Sequence, residues 1–370
     1  MSMILDGSNG VTFNDASLQG AAASPYVLKN RIINGAMVID QRNAGATMSP
    51  VGTSAYMVDR WQTVMSQSGK FNAQQNQGSI TPPVGFSNYL GLTVASAATI
   101  GASDYFSILQ KIEGFNTADL SWGTANAQTV TLSFRVYSSL TGSFSGAIEN
   151  SANNRSYPFS YAVSSANTWT TVSVTIPGDT TGTWVGATNG VGMGIWFDLG
   201  CGSSFRGTAN TWAGAQYIGV TGTVQVAANA GATFYITGVQ LEIGTSATPF
   251  ERRLYNQELA NCQRYAIVYG GSVASEQICM GQASSATSNL SLLNPPVTMR
   301  IAPSLSVVSA SGFLVNDAAV QNATSAVVIG GQTSSQCFFI NSTTSGITAG
   351  RATRFMSNTT SDKITFSAEL

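Results

Sequence analysis

Thr129-Val130-Thr131-Leu132-Ser133-Phe134-Arg135-Val136 is the stretch that decides the fold class. Apolar and polar residues alternate strictly along it, and successive side chains of an extended strand point to opposite faces. Val130, Leu132, Phe134 and Val136 therefore share one face, which predicts a half-buried strand. Runs of the same kind recur on both sides: Tyr89 to Ala95, Tyr105 to Ile112, Val130 to Tyr137, Tyr157 to Val163, Thr170 to Ile176, Gly192 to Leu199, Gln216 to Val226 and Phe234 to Ile243. Gly, Asn, Ser and Thr turns separate them. This spacing predicts an antiparallel β-sandwich, a jelly roll, over 84–248.

The pattern changes at both borders of that block. Upstream, residues 1–83 read as an extended N-terminal region of short strands and turns, with too little apolar mass for a core of its own. Within it, two apolar runs flank Asn34-Gly35, a strong hairpin signal. Downstream, Thr248-Pro249-Phe250-Glu251 has the form of a capping box with proline at the first helical position. Tyr255, Leu259, Cys262 and Ala266 then fall on one helical stripe, and Gly270-Gly271 stops it. A connecting helix is expected at 249–266, within a linker ending at 271. Residues 272–370 are rich in Ser, Thr and Asn and read as a smaller C-terminal β domain, with strands near 276–281, 290–293, 305–308, 326–330, 336–341 and 363–368. The expected fold class is thus mainly β, with one connecting helix.

Composition narrows the function. Charged residues make up 9% of the 370 residues, against about 25% in ordinary globular chains. The net charge is −1, with no basic patch, so nucleic acid is not an expected partner. A nearly uncharged surface suits uncharged polymers such as glycans, and it suits protein interfaces equally well. No apolar stretch approaches the length of a membrane span, so membrane insertion is not expected. The N-terminus, MSMILDGSNGVTFND, lacks the form of a signal peptide. Release by lysis is one route by which such a chain would leave a cell.

Histidine is absent, which removes the usual general base, metal ligand and pH switch. Lys29, Lys70, Lys111 and Lys363 are scattered, and no GxSxG elbow or P-loop occurs. The four cysteines, Cys201, Cys262, Cys279 and Cys337, form no CxxC pair. They are expected to be reduced, with Cys262 and Cys337 buried. Among the acids, Asp198 and Glu242 lie on expected strands and form the one pair to consider for glycosidic chemistry or a structural calcium ion. Hydrogen bonding within the fold is the competing reading. No enzyme activity, metal or cofactor is expected.

Aromatic residues are the better candidates. Sugar sites commonly set an aromatic face against a pyranose ring. Trp184, Trp212 and Tyr217 sit in or beside Gly/Thr/Asn loops and are the candidate glycan-binding residues. The competing reading is that they plug the ends of the sandwich. Trp61, Trp122, Trp169 and Trp196 sit in or next to strand patterns and are expected in the core.

Two blocks carry a resemblance. Asn30 to Gly35 with Ile39 to Gly45, then Val58-Asp59-Arg60-Trp61, resembles a block found in tail fibres of tailed bacteriophages and related virion proteins. Phe234 to Gly244, with Ala247 to Arg253 and Cys262-Gln263-Arg264-Tyr265, is similar to the end of the same module. The middle is similar to the jelly rolls of carbohydrate-binding modules. The resemblance implies a virion fibre located in the particle, usually a homotrimer, joined through its N-terminus to other tail or baseplate proteins. Its expected partner on the host is a surface polysaccharide or lipopolysaccharide. A virion-associated polysaccharide depolymerase and a purely structural capsid or neck decoration are the alternatives.

Overall fold

The computed structural model describes residues 29–48 and 54–370, together with three short N-terminal strands, β1 (Ile4–Asp6), β2 (Gly10–Thr12) and β3 (Leu18–Gln19). The three pair antiparallel in chain order. A virion-attachment and oligomerisation role is expected of 1–83, and the part of that region at 1–28 between and beyond these strands, with 49–53, lies outside the described residues.

Thirteen strands follow before the only α-helix among the described residues. They are β4 (Ser54–Val58), β5 (Trp61–Met65), β6 (Phe71–Gln75), β7 (Leu90–Val94), β8 (Tyr105–Glu113) and β9 (Val130–Ser138). Then come β10 (Gly142–Asn150), β11 (Ser156–Val163), β12 (Thr170–Ile176) and β13 (Val191–Cys201). The parallel pair β14 (Arg206–Gly207) and β15 (Gly219–Val220) precedes the long β16 (Thr233–Ile243). Two sheets result, a six-stranded one in the order β11-β10-β13-β8-β5-β4 and a five-stranded one in the order β12-β9-β16-β7-β6.

The alternation of β9 is what the fold uses. Val130, Leu132, Phe134 and Val136 are all buried, and Val172, Val174 and Ile176 of β12 lie beside them in register. From the other sheet Phe144, Ile148, Ile195 and Phe197 meet them. The Phe134 and Phe197 rings lie edge to face, 5.1 Å apart, across the gap between the sheets. The jelly-roll class of fold is thus observed.

Its N-terminal border lies earlier than 84. β4 and β5 extend the six-stranded sheet, and β6 forms the edge of the other. Trp61, Met65 and Phe71 are buried in the same core. Their apolar positions were spread over three strands of five residues each, too short for any one to show a core pattern.

Asn34-Gly35 forms a turn but no hairpin of strands. Asn34 has φ 57°, and its amide donates to the Ile39 and Asp59 carbonyls at 2.8 and 2.9 Å. The flanking chain instead runs along β16. Arg31 N–H donates to the Leu241 carbonyl, and Val239 N–H to the Gly35 carbonyl, both at 2.9 Å. There β16 breaks register between Thr237 and Gln240, with Gly238 at φ 63°. A Cβ on Gly35 would collide with the Val239 carbonyl oxygen, so glycine is required by close approach.

The helix, α1, covers Tyr255–Gln263, shorter than the expected 249–266. The cap-like residues are engaged elsewhere. Thr248 donates through its N–H and hydroxyl to Glu242, at 2.8 and 2.6 Å. Glu251 accepts the Asn30 N–H at 2.7 Å. Glu258 and Cys262 form the buried face of the helix, whereas Tyr255 is exposed.

Beyond the helix lie β17 (Ala266–Tyr269), β18 (Gln277–Ala283), β19 (Ser288–Leu293), β20 (Ser304–Val307) and β21 (Phe313–Asn316). They are followed by β22 (Gln321–Ala323), β23 (Ala326–Ile329), β24 (Phe338–Thr343), β25 (Ala352–Ser357) and β26 (Ile364–Ser367). A three-stranded sheet, β17-β26-β20, packs on a seven-stranded one, β22-β21-β25-β18-β19-β24-β23. Phe338 and Phe366 stack between them at 4.4 Å. The four cysteines are free thiols; Cys262 is buried, as expected, but Cys337 precedes β24 and is only half-buried.

This second sandwich is bonded to the first. Glu369 pairs with Arg60 and, at 3.0 Å, with Arg42. Glu113 of β8 accepts from Arg264 at 2.9 and 2.5 Å and from the Tyr265 hydroxyl at 2.6 Å. Arg300 donates to the Asn189 carbonyl at 2.9 Å. No helix among the described residues is long and apolar enough to cross a membrane.

Candidate functional site

Trp184 and Trp212 are brought together, and Trp122 joins them. The three rings lie edge to face, with centroids 4.8 to 5.7 Å apart. Each indole N–H already has a partner: Gln128 carbonyl for Trp122, Asp179 carboxylate for Trp184 and Pro177 carbonyl for Trp212, at 2.8 to 2.9 Å. Arg155 braces the group through two hydrogen bonds to Asp179 and a position over the Trp212 ring. Burial works to raise the Asp179 pKa, but the bonds from Arg155, Trp184 and Thr181 outweigh it and hold the carboxyl below its ordinary value. Rings that face one another with every N–H satisfied pack one end of the sandwich. Tyr217 lies apart from them, against Gly207 on the loop that crosses β11.

Asp198 and Glu242 stand on different sheets. Asp198 accepts from the Ser145 hydroxyl and the Gly200 N–H at 2.8 and 2.7 Å. Glu242 is held by Thr248 and by the Gln240 amide. The structure does not bring the two together, and their hydrogen bonds serve the fold.

The outer face of the six-stranded sheet holds a different arrangement. In register across it run Tyr56, Gln62, Leu109, Trp196 and Ala147. The next row is Lys111, Gly194 and Glu149. Gly194 carries no side chain between its neighbours, and a groove of about 490 Å³ opens there. Glu149, Lys111, Tyr56, Gln62 and Trp196 are among its walls, and Glu369 and Leu370 close one end. A second hollow of about 230 Å³ lies on the other side of Trp196, beneath Phe205 and Gln216.

Trp196, expected in the core, is therefore a wall residue on the outside of the sheet. It is 8% exposed, packed against Leu109, Ala147 and Ile218, and what it exposes lines both hollows. Its indole N–H is closed to solvent and its polar neighbour is the Glu149 carboxyl, a looser contact than those of the three tryptophans at the sandwich end. Glu149 is 1% exposed, and neither carboxyl oxygen reaches hydrogen-bond geometry with any protein group. Trp196 and the Gln216 amide lie near it. Burial pushes the Glu149 pKa up to about 8.

The charged groups around the groove are already committed. Lys111 donates to the Leu370 carbonyl oxygen at 2.9 Å, and burial and the nearby Arg60 lower its pKa. Glu369 is paired with Arg60 and Arg42. Groups free to bond a ligand are thus exposed polar side chains such as Asn153. That set can exchange hydrogen bonds with hydroxyl groups, while Tyr56 and Trp196 supply aromatic surface.

The signal for this site lay in Val191–Cys201. Met193, Ile195 and Phe197 alternate as one core face, so Gly194, Trp196 and Asp198 share the other. A tryptophan among glycines on the outer side of a long strand was legible. Glu149 was not, because nothing local distinguishes a groove acid from a surface acid.

No family model matches the sequence, and no curated protein matches it. Several solved structures are similar to part of it. A tailspike protein 4 domain of bacteriophage CBA120 is 13% identical over 60% of this chain and 22% of its own length, with a TM-score of 0.32. A family 61 carbohydrate-binding module in complex with β-1,4-galactotriose is 9% identical over 58% of this chain and 99% of its own, with a TM-score of 0.29. A family 11 module of Clostridium thermocellum in complex with a mixed-linked tetrasaccharide is 11% identical over 54% and 97%, at 0.27. Likenesses of this size assign neither a ligand nor an activity.

Proposed function

We propose that the chain is a non-enzymatic adhesive protein of a virus particle, of the tail-fibre kind, which holds a host-surface glycan in the groove on its six-stranded sheet. The observation that carries the glycan part is the groove of about 490 Å³ itself, lined by uncharged polar side chains such as Gln62 and Asn153 beside the aromatic side chains of Tyr56 and Trp196. Amides and aromatic surface together suit the hydroxyl groups and the apolar ring face of a sugar. The virion part rests on the resemblance of the blocks at 30–61 and 234–265. Their polar residues interlock: Arg253 donates to the Asn30 and Ile32 carbonyls, and Glu258 accepts the Asn34 N–H. These blocks thus hold the module together, and recognition is left to the sheet face.

Calorimetry with a panel of bacterial surface oligosaccharides tests the reading. Asn153→Gly removes an exposed amide that lines both hollows and tolerates the left-handed backbone there (φ 54°), and it is expected to weaken binding about tenfold, the cost of roughly one hydrogen bond. Equal binding by wild type and variant would remove the groove from consideration.

The depolymerase reading has one observation in its favour, since a carboxyl neutral at pH 7 is suited to act as a general acid. Glu369, the other carboxylate at the groove, is neutralised by two arginines. Unchanged viscosity of a capsular polymer solution after incubation with the protein is the expected result.

A further inference from the structure

We infer that the two hollows beside Trp196 form one binding path, which takes a segment of a neutral glycan chain lying along β5 and β8 rather than across the sheet. This deepens the glycan reading above and rests on it. The hollows, of about 490 and 230 Å³, share Val64, Asn153 and Trp196 as walls, so they meet at these residues. On the outer face of β8 the side chains of Lys111, Leu109 and Tyr105 follow one another. Lys111 and Leu109 line the larger hollow, and Tyr105 lines the smaller. From Lys111 to Tyr105 the strand gives a path of about 20 Å.

The neighbouring strands are covered at the level where the path continues. Next to Trp196 on β13 and Ala147 on β10, on the same face, stand Asp198 and Ser145, both 1% exposed. Arg206 of β14 pairs with Asp198 at 3.6 Å, and the Thr223 hydroxyl lies 2.9 Å from that of Ser145. The segment from β14 to Thr223 thus lies on that part of the sheet. Over β5 and β8 the face stays open, with Val64 half-buried where the hollows meet. Ser107 beside it is buried and donates its hydroxyl to the Val64 carbonyl at 3.1 Å, so this floor is apolar to a ligand.

The smaller hollow repeats the chemistry of the larger. Tyr105 and Phe205, edge to face at 5.4 Å, supply its aromatic wall, as Tyr56 does in the larger. Gln216 and Asn153 supply amides, as Gln62 and Asn153 do there. The charged walls are engaged elsewhere: Lys111 by the Leu370 carbonyl and Glu369 by two arginines, while Glu149 is buried. Aromatic surface and amides on both sides of one tryptophan fit a polymer whose successive units each present an apolar ring face and hydroxyl groups.

The test uses the full chain and linear neutral oligosaccharides, from monosaccharide to hexasaccharide, cut from the neutral polysaccharide that binds best in the calorimetric panel. Affinity is expected to rise with length until the ligand spans both hollows, and then to level. Phe205→Ala removes the aromatic wall of the smaller hollow. Val64→Phe fills the passage between the hollows and keeps a strand-forming residue on β5. In both variants the gain from length should stop short, so that the hexasaccharide binds about tenfold more weakly than to wild type. Melting temperatures accompany both, and Val64→Phe stands in for Phe205→Ala where the latter disturbs the packing of Tyr105. An unchanged hexasaccharide affinity in folded Val64→Phe, or a wild-type affinity that levels at the disaccharide, would overturn the inference while leaving binding in the larger groove intact. Absence of binding by every member of the series would overturn the glycan reading itself.

Discussion

Glu149 illustrates how a single side chain can be placed against its own charge. Burial favours its neutral form, so its pKa in the folded protein lies above the value of 4.5 for a free side chain, near 8. The folded state then binds more protons than the unfolded state between those values, and stability falls as pH rises through that window. Asp59 acts with the same sign, since burial raises its pKa to about 6. Its contribution is spent by pH 6, and the chain has no histidine to titrate between 6 and 8. Wild type should therefore lose stability from pH 6 to pH 8, by at most about 1.4 kcal/mol per unit. Glu149→Gln should show a shallower slope in urea unfolding. Parallel slopes would mean that Glu149 ionises freely, and the neutral-carboxyl account would be lost with it.

At the scale of elements, β9 and β13 show what periodicity conveys. Phe134 is buried between the sheets and touches Tyr161 and Phe197 edge to face. Phe134→Ala is expected to cost about 3–5 kcal/mol, and an unchanged melting temperature would mean that this face is not the core. The same period-two logic on β13 places Trp196 outside the sheet, which its local apolar neighbours obscured. The helix start was misjudged for another reason. Thr248 and Glu251 have capping chemistry, but their bonds go to Glu242 and Asn30, the latter 221 residues away in the chain. Local patterns cannot reveal a distant competitor for the same group. Gly35 belongs to this class as well. Gly35→Ala would press a methyl group onto the Val239 carbonyl, and it should lower the melting temperature far more than Gly214→Ala, where open space surrounds the added carbon. Similar melting temperatures for the two would count against the close packing of 30–35 on β16.

The whole molecule is two sandwiches whose junction was the least legible feature of the sequence. Gly270-Gly271 and the polar composition beyond it suggested a free-standing C-terminal unit. The structure instead carries Glu369 back to Arg60, 309 residues away, where the guanidinium also donates to the Lys111 carbonyl and lies 3.6 Å from the Tyr265 ring centroid. An apolar row also lies on this unit. Met280, Leu292 and Phe339 form a row across the outer face of the seven-stranded sheet, and Met280 and Leu292 are exposed. With a net charge of −1 on the chain, copies do not repel, and the expected homotrimer would cover this row. Met280→Lys with Leu292→Lys should convert trimer to monomer in sedimentation, and a wild-type monomer at micromolar concentration would dismiss the assembly.

The junction makes a separate demand. Arg60 is buried, so removing Glu369 leaves a guanidinium in the interior without its carboxylate, a loss of about 3–5 kcal/mol when one member of a buried pair is deleted. Glu369→Ala should therefore destabilise the chain by that order, and deletion of 272–370 should do more, since Tyr265, Arg264 and the helix lose their cover together. Glu369 and Leu370 also close one end of the groove. The truncated chain is thus expected to lose glycan binding even where some sandwich remains folded. Glu369→Gln separates the two effects, because it keeps the wall of the groove while removing the charge. If this variant loses stability but binds the neutral oligosaccharide with unchanged affinity, the C-terminal strand serves the groove by shape and the junction by charge. If stability stays at the wild-type level, the Arg60–Glu369 pair contributes nothing and the other junction contacts, Glu113 with Arg264 and Arg300 with Asn189 among them, hold the two sandwiches.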